Sequence, residues 1–142
     1  MRLDEWAEEA PAAEAVAPRV LGVVRPVLAA LGVPDDADVW VVWGDEPTTR
    51  WVVLAPTAAG LVTASVRVNI QQEGPRAAAK LIRWPRVQVG DLAIEMQGLH
   101  RVVATTVEGQ VLRGVDDVAD RIARFVSAIY SAIDGRDPVR PA

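Results

Sequence analysis

Four cations surround one indole between residues 76 and 86. Arg76, Lys80, Arg83 and Arg86 flank Trp84, and no acid falls between Glu73 and Asp91. Such a grouping recognises anions: the cations grip phosphates or carboxylates, and the ring offers a stacking surface. The whole chain carries a net charge of −4, which disfavours nucleic acid and points to an acidic protein segment as the expected partner. The plainer alternative is a solvated basic face that pairs with the chain's own acidic first third. Residues 1–46 balance at −7, 47–113 at +4 and 114–142 at −1, so internal attraction has material to work with.

Groups for catalysis are sparse. His100 is the one histidine, and it lies beside Gly98 in an expected turn without a base, nucleophile or ligand at telling spacing. There is no cysteine, which excludes disulfides, thiolate metal sites and cysteine nucleophiles. Asp35, Asp36, Asp38, Asp45 and Glu46 form an acidic run, but it lacks the glycine and ligand spacing of a calcium loop and reads as solvated turn acids. Asp91 and Glu95 share a strand face, and Ser65, Ser127 and Ser131 have no base in reach by sequence. Walker, GxGxxG, GxSxG and HExxH patterns are absent. The expectation is a protein that is no enzyme and uses no metal or cofactor.

Five tryptophans beside one phenylalanine and one tyrosine are the other compositional signal. Trp40 and Trp43 stand three apart, so on one strand they face opposite ways. One is expected in the core and the other on an open face, where an indole serves as a contact anchor. Trp40, Trp43, Arg76, Lys80, Arg83, Trp84 and Arg86 together form the expected binding set.

The elements that must position these groups are legible from periodicity. Val118, Ile122, Phe125, Ile129 and Ile133 make one stripe of a helix over 115–133. Val62, Ala64, Val66, Val68 and Ile70 alternate with polar residues, the mark of a strand with one dry face. Runs at 39–43, 51–54, 92–96, 101–106 and 110–113 read as further strands, the first two joined as a hairpin. Residues 18–32 read as a helix, with Pro18 in its first turn, Pro26 kinking or splitting it, and Leu21, Val24, Leu28 and Leu31 as its stripe. Residues 75–84 admit two readings. The alanine run favours a short helix with Arg76, Lys80 and Arg83 on one face, whereas a strand places Lys80, Ile82 and Trp84 together.

The expected fold is α+β: a single antiparallel sheet of about six strands, packed by an N-terminal helix and a long C-terminal amphipathic helix. An acidic arm over 1–17, where Leu3, Trp6 and Ala10 admit either one or two helical turns or a loosely ordered chain, precedes one domain over 18–134, and a disordered tail over 135–142 follows. The acidic start at Met1–Trp6 lacks a signal-peptide plan, and the longest apolar stretch, 20–33, is too short to span a bilayer, so a cytoplasmic protein is expected.

The element order over roughly 18–133, with its size and acidity, is similar to the small acidic type III secretion chaperones and their YbjN-like relatives. That resemblance implies a homodimeric α+β domain that binds other polypeptides on a sheet or helix surface, in the manner of a chaperone or assembly factor. If 75–84 is a strand, the order of seven strands and a closing helix looks like a PH-like barrel. That family's phosphoinositide-binding members use a basic β1–β2 loop, and the corresponding residues 44–50 here are mainly acidic. A helix-grip pocket for a small apolar or lipid ligand is the remaining alternative.

Overall fold

The computed structural model describes residues 1–43 and 48–135. The expected turn at 44–47, with Asp45 and Glu46, and the tail 136–142 lie outside the described residues. The chain is α+β, and it divides into two compact units, Met1–Ile82 and Arg83 onward.

The first unit begins with two helices, α1 (Leu3–Glu9) and α2 (Ala13–Ala30). The stretch 1–17, expected as an acidic arm, is therefore helical over most of its length. Leu3, Trp6, Ala7 and Ala10 are buried and hold α1 in place, while Glu5, Glu8 and Glu9 face water. Ala12 turns the chain between the helices with φ 56° and ψ 34°, a left-handed conformation that costs a non-glycine residue about 1–2 kcal/mol. In α2 the buried stripe is Val16, Val20, Val24 and Leu28, at four-residue spacing. Pro18 and Pro26 both lie inside this one helix, so the expected split at Pro26 does not occur. Pro26 forfeits the bond to the Gly22 carbonyl, but both residues are exposed and water can serve that oxygen.

Four strands follow: β1 (Trp40–Val42), β2 (Arg50–Pro56), β3 (Gly60–Arg67) and β4 (Arg76–Arg83). They form an antiparallel sheet in the order β1-β2-β3-β4. Trp51 lies opposite Val66 and Val53 opposite Ala64, and all four side chains are buried. The same alternation leaves Ser65 and Arg67 exposed, as the period of two requires. The helix α2 packs on β3, and α1 packs on α2 and β1.

The second unit starts with a single 3-10 turn at Trp84–Arg86 and continues with β5 (Ala93–Gln97), β6 (His100–Val107), β7 (Gln110–Val115) and α3 (Asp117–Ile133). Its sheet has the order β5-β6-β7. Ile122, Phe125 and Ile129 of α3 are buried as the stripe foretold, and α3 lies on β6 and β7. The helix approaches β7 closely at Gly114, where an added Cβ would sit 2.3 Å from Val118 Cγ1. Glycine is the residue that such a crossing requires.

Two expectations need correction. The strands form two antiparallel sheets of four and three, not one sheet of about six. Pro85, inside the 3-10 turn, cannot extend a strand, so β4 ends at Arg83 and β5 finds its partner in β6. Residues 76–83 are a strand, not the favoured short helix. Alanine's helical advantage is a few tenths of a kcal/mol per residue, which pairing in a sheet readily outweighs. Among the described residues the order is thus two helices, four strands, the 3-10 turn, three strands and α3, with the strands in two separate sheets.

Candidate functional site

The strand β4 is an edge of the four-stranded sheet. Its outer backbone row is therefore open to a further strand. Along β4, exposure alternates: Arg76, Ala78 and Lys80 are exposed, while Ala77, Ala79 and Leu81 are half-buried. Arg76 and Lys80 thus stand four residues apart on one face. Arg83 has odd parity and leaves that row, contrary to the helical reading that put all three cations together. Arg86 is exposed on the 3-10 turn that follows. Among the described residues, none of these four cations forms an ion pair or side-chain hydrogen bond. The acids of the first third are occupied differently: Asp38 pairs with the terminal amine of Met1, and Glu5 with Arg2 at 3.2 Å.

The tryptophans behave differently from the expectation. Trp84 is buried, so its ring is not a free stacking surface between the cations. Trp40 is buried too, and Trp43 is half-buried. Both contact Trp6 of α1, at ring-centroid distances of 5.0 Å and 6.0 Å. Trp43 also lies 5.6 Å from Trp51. Strand parity would have separated Trp40 from Trp43, but β1 ends at Val42 and frees Trp43 to turn back. The Trp6 indole N–H donates to the Val39 carbonyl at 2.9 Å. The surplus indoles thus build a core that fastens α1 to the start of the sheet.

A concave site that the sequence reading missed lies between α1 and α2. It is a groove of about 760 Å³ with an apolar floor that includes Ala7, Ala17, Leu21 and Gly22, and with Glu8 and Glu14 on its rim. A Cβ added at Gly22 would meet nothing within 4 Å. The legible signal was the run of small residues in 7–22, which lets two helices leave space between them.

His100 sits at the start of β6, where its Nδ1–H donates to Asp116 Oδ2 at 2.7 Å. Asp116 Oδ1 also accepts from the Arg101 N–H at 3.1 Å. These contacts hold the Asp116 carboxyl below the ordinary carboxylate value, the His100 bond first and the Arg101 N–H second. Both side chains are open to solvent, with 66% and 49% exposure, so the pair lacks the enclosure that a catalytic dyad uses. Arg101 reaches across to pair with Asp120 of α3, so Asp120 is held by β6 as well as by its own helix.

Among the described residues no three histidines or acids gather as a metal site, and no helix is long and apolar enough to cross a membrane. Comparison of the chain with protein-family models, curated proteins and solved structures finds no match.

Proposed function

We propose that this chain is a non-catalytic protein-binding module that receives an acidic, extended polypeptide segment along β4. The observation that carries the reading is the pairing of an open sheet edge with cations that have no partner among the described residues. Added-strand recognition draws affinity from backbone hydrogen bonds and selectivity from alternate side chains. Here Arg76 and Lys80, two alternate positions apart on one face, select carboxylates four residues apart on the incoming strand. Exposed charge pairs contribute about 0.2–1 kcal/mol each, so the cations set preference and rate more than affinity. A chaperone or assembly factor for a client with acidic strands fits this chemistry.

The test is fluorescence anisotropy of a labelled peptide of alternating glutamate and valine. Binding is expected, weakened about tenfold when Arg76→Glu and Lys80→Glu are combined, and weakened by salt. Equal affinity for the wild-type and charge-reversed proteins would refute the role of β4.

The α1–α2 groove favours a second reading, a site for a small apolar ligand. Its volume falls in the range of small-molecule sites, and its lining sets Asp4, Glu8 and Glu14 against one cation, Arg25, a negative balance that favours a positively charged group. A thermal-shift screen of apolar amines reads this out, since a bound ligand raises the melting temperature by mass action. Gly22→Trp should abolish any such shift by filling the groove.

A further inference from the structure

Among the described residues, the large apolar side chains left open to solvent all lie beyond Arg83, and four of them, Leu92, Ile94, Met96 and Leu99, fall within eight residues. Ile94 is 62% exposed, Met96 66% and Leu99 97%. Single exposed aliphatic residues are ordinary on a protein surface, but an alternating run on a strand is not.

The sheet register explains why the run is bare. Ile94 lies opposite Val103, and Val103 lies opposite Gly114, where Val118 of α3 presses on the sheet. Ile94 and Met96 therefore stand on the side of the sheet that α3 covers, with Leu92 just before the strand. Strands are about 4.8 Å apart and a helix is about 10 Å across, so one helix covers two strands. Those two are β6 and β7. The third, β5, remains as an uncovered shelf. It is also an edge strand, with its outer backbone groups unpaired in the sheet. The apolar side of β5 carries no charge of the kind that blunts exposed edges. The contrast with Arg76 and Lys80 on β4 is direct.

We propose that β5 is the surface on which a second copy of this chain docks, with the two β5 strands antiparallel about a two-fold axis at Ile94. Three features favour a second copy. The apolar side is uncharged, so nothing on it selects a charged foreign partner. Two identical edges running antiparallel satisfy each other's backbone groups. One register also stands out among those that keep the apolar sides together. Centred on Ile94, it sets Ala93 against Glu95 of the second copy and brings Leu92, just before the strand, to Met96. Centred on Glu95, it would oppose two carboxylates, and centred on Met96, it would leave only Glu95, Met96 and Gln97 of each β5 facing one another. The five residues of β5 make an interface well below the standard of about 800 Å² per partner, so the dimer is weak and concentration-dependent. This surface belongs to a different sheet from Arg76 and Lys80, and its test is independent of theirs.

The chain's lack of cysteine makes cross-linking decisive. Facing residues in an antiparallel pair have Cα atoms about 4.5–5.5 Å apart, within disulfide reach. Ile94→Cys should therefore form a disulfide-linked dimer under mild oxidation, whereas Gly22→Cys, in the α1–α2 groove, should not. Sedimentation velocity of the wild-type chain should show a monomer–dimer shift with rising concentration. Met96→Glu should remain monomeric at every concentration while keeping the wild-type circular dichroism spectrum. A wild-type chain that stays monomeric at the highest concentration would overturn the proposal. So would a dimer that neither cross-links through Ile94→Cys nor responds to Met96→Glu. Should Met96→Glu fail to fold, the cross-linking of folded Ile94→Cys protein decides alone.

Discussion

His100 Nδ1 and Asp116 Oδ2, 2.7 Å apart, join the first residue of β6 to the residue that precedes α3. Backbone bonds reinforce the junction, because Asp116 N–H donates to the Arg101 carbonyl at 2.9 Å. Asp116 adopts φ 53° and ψ −109°, a strained conformation held by these surrounding contacts. Its carboxylate serves β6 and not the amides of α3, since no side-chain cap bond forms. The residue that precedes α3 thus ties strand to helix in place of capping the helix.

That tie has a definite pH signature. The Asp116 carboxyl titrates below its ordinary value of 3.8, so its stabilising contribution is present above that value and fades as pH falls through the lower folded-state value. Replacing Asp116→Asn should flatten the acid limb of stability. Urea midpoints measured from about pH 6 down to about pH 3 check this, because the unfolded carboxylate titrates near 3.9. Identical acid limbs for the two proteins would contradict the assignment.

Trp6 should be the most sensitive position in α1. Trp6→Ala removes two ring contacts, leaves the Val39 carbonyl without its donor and opens a cavity, for a loss of about 3–5 kcal/mol. Trp6→Phe keeps most of the ring and removes the N–H, at a cost of about 1–3 kcal/mol for the orphaned carbonyl. Chemical denaturation separates the two variants. Similar small losses for both would show that α1 is not fastened by this indole.

Ser131 presents the opposite case. Its side chain is buried on α3, and its Oγ has no hydrogen-bond partner among the described residues. Ser131→Ala removes an unsatisfied hydroxyl and a little volume, so the variant should gain about 1 kcal/mol. A lower melting temperature would show that the hydroxyl has an unseen partner.

The parts of the fold set by repeated spacing were legible beforehand. The α3 stripe at Ile122, Phe125 and Ile129, and the alternation of Val62, Ala64 and Val66, depend on nothing beyond local periodicity and one dry side. Residues 76–83 were not legible, because Ala-Ala-Ala-Lys has a helical composition and only the sheet makes it a strand. Helix α1 was legible only as one of two alternatives at Leu3, Trp6 and Ala10, because its place depends on Trp6 meeting Trp40 and Trp43 more than thirty residues away. For the candidate site, the cations were readable from composition, while the burial of Trp84 and Trp40 required knowing which side each strand presents. The α1–α2 groove arises where two helices fail to fill the space between them, and no motif records that.

Hydrogen–deuterium exchange of the full chain, with and without the acidic alternating peptide, tests the β4 assignment at residue level. An added strand should protect alternate backbone amides within 76–83, those on the outer edge of the sheet, and leave β2 and β3 unchanged. Unaltered exchange along β4 at saturating peptide, or protection confined to the α1–α2 groove, would contradict it.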